Sequence, residues 1–280
     1  MKSFRRTAVV LMSLALTACS LGGGNPFLEE EWDTAFGVPP FDRIEDSHYL
    51  PAFRQAMAEH KAEIDAIAND PASPTFQNTI EALDRSGRAY TRVASVFGAV
   101  ESAHSNDTIR EVAQTLAPER AAHADDIALN RALFDRVKTV YEERASLGLT
   151  PEQMRLLEET HKGFVRSGID LDETAQARLR EINSELAELS QKFGDNLLAE
   201  TNAFELHVTD EADLGDLPAG LKAGAADEAQ RRGHDSGWSF TLQRPSINPF
   251  LESSTNRELR RDIFMGYAMR GDNDNEFDNK

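Results

Sequence analysis

The longest regular pattern of apolar and polar positions lies between Leu171 and Phe204. Ala175, Leu179, Ile182, Leu186, Leu189, Phe193 and Leu197 follow one another in steps of 4, 3, 4, 3, 4 and 4, the spacing of one apolar stripe on an α-helix. Asp170 or Asp172 supplies the cap, and Glu173 stands three residues after Asp170, as in a capping box. At 1.5 Å per residue the helix is about 50 Å long. Its stripe predicts burial, so the rest of the chain is expected to supply a covering surface and Leu186→Asp to be strongly destabilising. Gly194 is the expected place of any bend.

The same period marks helices elsewhere. Leu50, Phe53, Met57, Ile64 and Ile67 predict one from about Ser47 to Ala68, with Pro51 tolerated in its first turn. Phe76, Ile80, Leu83, Tyr90, Val93, Phe97 and Val100 predict a second from Phe76 to Val100, with Glu81 and Arg85 paired on its surface. A third starts at Asp107 and kinks or ends at Pro118; a fourth carries Leu133, Val137 and Val140 and closes by Gly148. Thr150-Pro151-Glu152-Gln153 is the strongest start signal, opening a helix with Met154, Leu157, His161 and Phe164 that Gly168 ends. After Phe204 the period changes to two: residues 204–208 and 238–242 read as strands around a short helix ended by Gly233. Asn256 to Met269 reads as a last helix. The fold class is mainly α, a lobe of antiparallel helices around one long helix, with a two-stranded β-element near residues 204–243. In the arm before the first helix, Trp32, Phe36 and Phe41 are expected to dock as pegs.

Composition limits the function classes. The chain has 280 residues, 40% of them hydrophobic and 28% charged, with a formal charge of −18. That is enough apolar material for a core and too acidic for a nucleic-acid partner. Lys2, Arg5 and Arg6 followed by the apolar run 7–18 read as a secretory signal, and Leu16-Thr17-Ala18-Cys19 looks like a bacterial lipobox. Cys19 is the only cysteine. The expectation is a lipoprotein signal over residues 1–19 in which Cys19 is lipidated and becomes the new N-terminus on cleavage before it, with the protein anchored in the cell envelope and facing the periplasm, most simply from an outer membrane. Residues 20–46 then form a tether and extended arm, and 47–280 a helical lobe.

The runs NPFLEEEWDTAFGVPPFDRIEDSHYLPAFRQAM, PTFQNTIEALDRSG, LTPEQMRLLEETHKGFVRSG, LSQKFGDNLLAETNAFEL and WSFTLQRPSINPFLESSTNRELRRDIF resemble the start of the thimet oligopeptidase, oligopeptidase A and peptidyl-dipeptidase family of zinc metallopeptidases. The resemblance covers residues 25–280 and is strongest to the peptidyl-dipeptidase branch. It implies an almost wholly helical two-lobed fold and hydrolysis of short peptides in a channel between the lobes. It also implies a Zn²⁺ ion held by H-E-x-x-H plus a later Glu, with the motif's Glu as general base. The seven histidines, His48, His60, His104, His123, His161, His207 and His234, contain no such pair. The chain is therefore expected to be an N-terminal lobe without the catalytic lobe, to bind no stoichiometric zinc and to be inactive alone, with Leu259, Ile263, Phe264 and Tyr267 partly uncovered.

Other candidate chemistry is weak. His161 lies on an apolar stripe and reads as a core or boundary histidine. His60 and Glu63 share a helix face as a surface pair. Asp125-Asp126 and Glu158-Glu159 point to different faces of their helices, unlike a facing acid–base pair. No serine sits in a G-x-S-x-G elbow, and Gly22 to Gly24 follow a leader rather than a strand. The chain supplies no catalytic, cofactor-binding or metal-ligating residue by motif. Two functions remain open: part of a peptidase acting on short peptides, and a non-enzymatic peptide-binding or adaptor lipoprotein. A helical envelope spacer is a third possibility that no residue specifically favours.

Overall fold

The computed structural model describes residues 24–29 and 31–280. The leader and Cys19 lie outside the described residues. The helices are α1 (Tyr49–Ala68), α2 (Ala82–Arg85), α3 (Arg88–Ala103), α4 (Asp107–Ala128), α5 (Arg131–Glu142), α6 (Pro151–Arg166) and α7 (Glu173–Ala203). Then come β1 (Leu206–Val208), α8 (Ala219–Arg231), β2 (Trp238–Phe240), α9 (Arg244–Ser253) and α10 (Arg257–Ala268). The strands pair antiparallel, with Leu206 opposite Phe240, His207 opposite Ser239 and Val208 opposite Trp238. The mainly helical class and the small β-element are as the sequence predicts.

Three apolar cores organise these elements. The first half of α1 (Tyr49, Ala52, Phe53, Ala56) packs with Val93 and Phe97 of α3 and Ile109 and Leu116 of α4. The second half (Ile64, Ile67) packs with Phe76, Ile80, Leu133, Val137, Leu157 and Phe164. α1 thus serves two cores from one stripe. The third core joins Val208, Phe240, Leu242, Phe250 and Ile263 from the sheet, α9 and α10. Capping follows the local sequence: Thr150 and Gln153 form the reciprocal box at α6, Asp172 accepts the Ala175 N–H at 2.8 Å, and Glu81 meets Arg85 at 2.5 Å.

Several expectations are corrected. The second helix is not continuous: Phe76–Glu81 is a π-helical turn, and the chain breaks at Ser86-Gly87 before α3. Gly87 has φ +69°, and a Cβ there would lie 2.6–2.8 Å from the His60 ring, so only glycine fits. His60 approaches His123 at 3.0 Å and Ser86 at 3.2 Å, while Glu63 accepts the Gly87 N–H at 2.6 Å. Each is turned to another element, where helix-face spacing predicts a mutual pair. Pro118 lies inside α4 without ending it, because packing on both sides outweighs one missing backbone bond. α9 was not predicted; Pro245 and Pro249 obscure its period. In the arm, Phe27 is the buried peg and Trp32 packs beside it, donating to the Pro26 carbonyl at 2.8 Å. Phe36 and Phe41 are exposed, because their turns direct them away from α1 and α3.

The largest correction concerns α7. The helix runs unbroken through Gly194 and packs along α4, yet its apolar row faces outward: Leu186, Leu189 and Phe193 are 55%, 54% and 52% exposed. The inward face carries Gln176, Arg180, Asn183, Ala187 and Gln191, the same helical spacing displaced by one residue, or about 100° of rotation. Asn183 donates to the buried Asp125 carboxylate at 2.7 Å, Arg180 to Asp126 at 2.9 Å, and Gln114 of α4 to Asp195 at 2.9 Å. Polar pairing, with Leu179 half-buried at one end, seats this helix.

Asn183→Ala, which leaves a buried carboxylate oxygen of Asp125 without its donor, is expected to cost about 1–3 kcal/mol. Leu186→Asp, contrary to the stripe's prediction, is expected to change stability by less than about 0.5 kcal/mol. Urea unfolding of the two variants checks the order, and the reverse order refutes this account of the α4–α7 seam.

A second expectation is a pH dependence. Burial holds the pKa values of His60 and His123 below the ordinary value of 6.5, and for His123 the neighbouring His60 adds to the effect. The unfolded chain therefore takes up protons near pH 6.5 that the folded chain resists. This contribution to stability is complete above that pH and declines as the pH falls toward the folded-state values. The unfolding midpoint should drop between pH 7.5 and 5.5, and His123→Gln should flatten the drop; an unchanged slope in that variant refutes the assignment.

Candidate functional site

Chemistry-bearing side chains converge at the β-element. Residues 205 and 207 lie two apart on an extended segment, so Glu205 and His207 share a face. The register sets His207 across from Ser239. After α8 the chain turns through Gly233, the His234 N–H bonds the Ala229 carbonyl at 3.0 Å, and the His234 ring stacks on His207 with centroids 3.8 Å apart and 13° between planes. Gly237, at φ +97°, lets the backbone close over the cluster: a Cβ there would lie 2.7 Å from His207 Cε1.

The hydrogen bonds fix proton positions. Ser239 donates to Glu205 Oε1 at 2.5 Å, and His234 Nε2 reaches the same oxygen at 2.9 Å. A serine has one proton, so the 2.9 Å contact of His207 Nδ1 with Ser239 Oγ is donated by the imidazole. A neutral His207 then carries its lone pair on Nε2. Burial alone would raise the pKa of Glu205, but the bonds from Ser239 and His234, with the charges of His234 and Arg232, outweigh it and hold the carboxyl below its ordinary value. One carboxylate oxygen and two imidazole nitrogens lie within 4.8 Å of one another, half-buried. Beside them opens a cleft of about 720 Å³, lined by Asn202, Leu221, Arg232, Ser239 and Gln243 among others. Arg232 is held there by Glu228 at 2.8 Å and the Asn202 carbonyl at 3.2 Å.

The residues weighed from the sequence stay apart from this cluster. His161 stacks on Tyr141 at 3.9 Å beside Phe134, a boundary histidine as expected, and burial lowers its pKa. Asp125 and Asp126 serve the α4–α7 seam, and Glu159 pairs with Arg155 at 3.0 Å and Lys162 at 3.1 Å. Motif reasoning missed the Glu205–His207–His234 group because His234 comes from another element 27 residues beyond His207. The alternation from Phe204 to Val208 was the one signal available, placing Glu205 and His207 on a single face.

No family model matches the chain. Curated relatives do. The dipeptidyl carboxypeptidase of Salmonella typhimurium is 38% identical over 256 residues, covering 91% of this chain and 38% of the relative. That of Escherichia coli is 39% identical over 251 residues, covering 89% and 37%. Oligopeptidase A of Salmonella typhimurium is 26% identical over 259 residues, covering 91% and 37%. The chain thus spans less than two fifths of the length of these relatives, and several long segments align across nearly all of its own. On that relatedness, together with its mainly helical fold, the chain belongs to the thimet oligopeptidase family, with the dipeptidyl carboxypeptidases and oligopeptidases A.

Proposed function

We propose that this chain builds the helical wall of a peptide-hydrolysing enzyme of the dipeptidyl carboxypeptidase type, with α7 standing between this lobe and a second body. The observation that carries the reading is the uncovered row Ile182, Leu186, Leu189 and Phe193 on a helix whose opposite face is bonded to α4. Contiguous apolar surface of that kind marks an interaction site. Phe264, Met265 and Tyr267 of α10 add further exposed apolar surface. In relatives more than twice as long, the remaining chain would supply the cover. The substrates are short peptides, because a walled channel excludes folded proteins.

The family's zinc centre needs two histidines one helical turn apart with a glutamate between them. The seven histidines of this chain do not fit it. No hydrolytic step is assigned to residues of this chain; their part is to shape the channel. We place the protein at the cell envelope, lipid-anchored through Cys19, on the strength of the lipobox-like Leu16-Thr17-Ala18-Cys19.

A hybrid tests the reading. Residues 25–280 replace the matched segment of the Escherichia coli dipeptidyl carboxypeptidase, and release of C-terminal dipeptides is measured. The hybrid should retain chelator-sensitive activity, and Leu186→Asp with Phe193→Asp should reduce it tenfold or more, while the same changes leave the unfolding of the 280-residue chain nearly unaltered. A folded but inactive hybrid, or an active one indifferent to both substitutions, overturns the proposal. Peptide binding by the chain alone beside a dead hybrid would favour the adaptor reading.

A further inference from the structure

We propose that Glu205, His207 and His234 form a binding site for a divalent transition-metal ion of the zinc class. Two imidazoles and one carboxylate are the donor set such ions take, at about 2.0–2.2 Å per ligand. Ligand atoms around one such ion stand roughly 3–3.5 Å apart by that geometry. The 2.9 Å between His234 Nε2 and Glu205 Oε1 is already close to that, and the third donor lies within 4.8 Å of both. Small rotations of the side chains bring all three onto one centre. The ion would replace the proton that His234 and Glu205 now share.

Three further features support the site. Its donors come from the segment leading into β1, from β1 itself and from the turn after α8, all tied to the third core, so much of the ordering is complete before the ion arrives. Ser239 bonds both Glu205 and His207, the kind of outer contact that orients metal ligands. The side chains of His234 and Glu205 are 35% and 23% exposed, which gives the ion an entry path and leaves a fourth position for water. Among the described residues the cation acting on Glu205 besides His234 is Arg232, which is itself paired with Glu228 at 2.8 Å. Bound there, the ion would brace the β-element against α8 at the edge of the 720 Å³ cleft. Helical-turn spacing predicts no metal in this chain, because it detects only ligands carried by one helix.

The test uses the untagged chain in a Cys19→Ser background, which removes its only thiol, stripped with a chelator and titrated with ZnCl₂ by calorimetry at pH 7.5 and 6.0. The expected result is one equivalent of zinc bound, weaker at pH 6.0 because protons compete for the imidazoles, with a raised unfolding temperature. His234→Gln and Glu205→Gln should each weaken binding tenfold or more. Should His207→Gln fail to fold, the visible spectrum of the Co²⁺ form of the parent chain reports imidazole ligation independently. Absence of saturable binding at 100-fold molar excess, or affinity unchanged in both half-exposed variants, overturns the proposal. Neither outcome bears on the hybrid experiment, since zinc binding here is measured without any peptidase readout.

Discussion

The buried carboxylate of Asp125 and the carboxamide of Asn183, 2.7 Å apart, determine more of this architecture than any apolar contact of α7. Apolar packing is non-directional and tolerates rotation of a helix about its axis. A buried carboxylate oxygen that accepts from one donor does not, because losing the donor leaves a desolvated acceptor unpaired. The seam therefore fixes which face of α7 meets α4, and Arg180–Asp126 and Gln114–Asp195 extend the same register along the helix. At the far end Glu200 takes over. Burial would raise its pKa, but the Gly271 N–H and the Asn273 and Asn275 carboxamides, the latter two at 2.7 Å, hold it ionised below the usual carboxylate range. The polar tail after α10 is anchored to α7 by that carboxylate.

Hydrophobic periodicity located α1, α5, α6, α7 and α10 because each carries a stripe, and all but α1 a side-chain cap, that act locally. Thr150, Asp172 and Asn256 bond backbone groups within three residues, and interactions of that range are written in the sequence. Period alone leaves open what a stripe faces. For Leu133 and Val137 it faces a core; for Leu186 and Phe193 the same spacing faces outward. The difference lies one residue further on, at Asn183 and Arg180, whose partners are 58 and 54 positions away. No local signal reports a partner at that distance. The break at Gly87 had the same origin: it is required by the His60 ring, which arrives from α1.

The Glu205–His207–His234 cluster shows the limit from the side of chemistry. Its members are ordinary residues in sequence, and motif reasoning rejected every histidine for want of a neighbour at helical spacing. The fold supplies the neighbour by closing a two-stranded element and returning α8 across it, with Gly237 clearing space for the His207 ring. Strand alternation sets Glu205 and His207 on one face; only the tertiary path brings His234 to them.

These two results meet in the energetics of α7. Burying a Leu, Ile or Phe side chain contributes about 1.5–3 kcal/mol, so the row from Ile182 to Phe193 withholds several kcal/mol from the folded chain. A helix seated through polar groups while its apolar face stays open inverts the usual amphipathic arrangement. The inversion is stable here because the caps, the Asp125 seam and the Glu200 anchor hold α7 without that face. It becomes advantageous when a second body covers the row, since the same residues then contribute to joining two bodies and cost nothing in the first. That is the physical reason for placing α7 at a boundary between lobes, and the relatives' greater length is where the second body would come from.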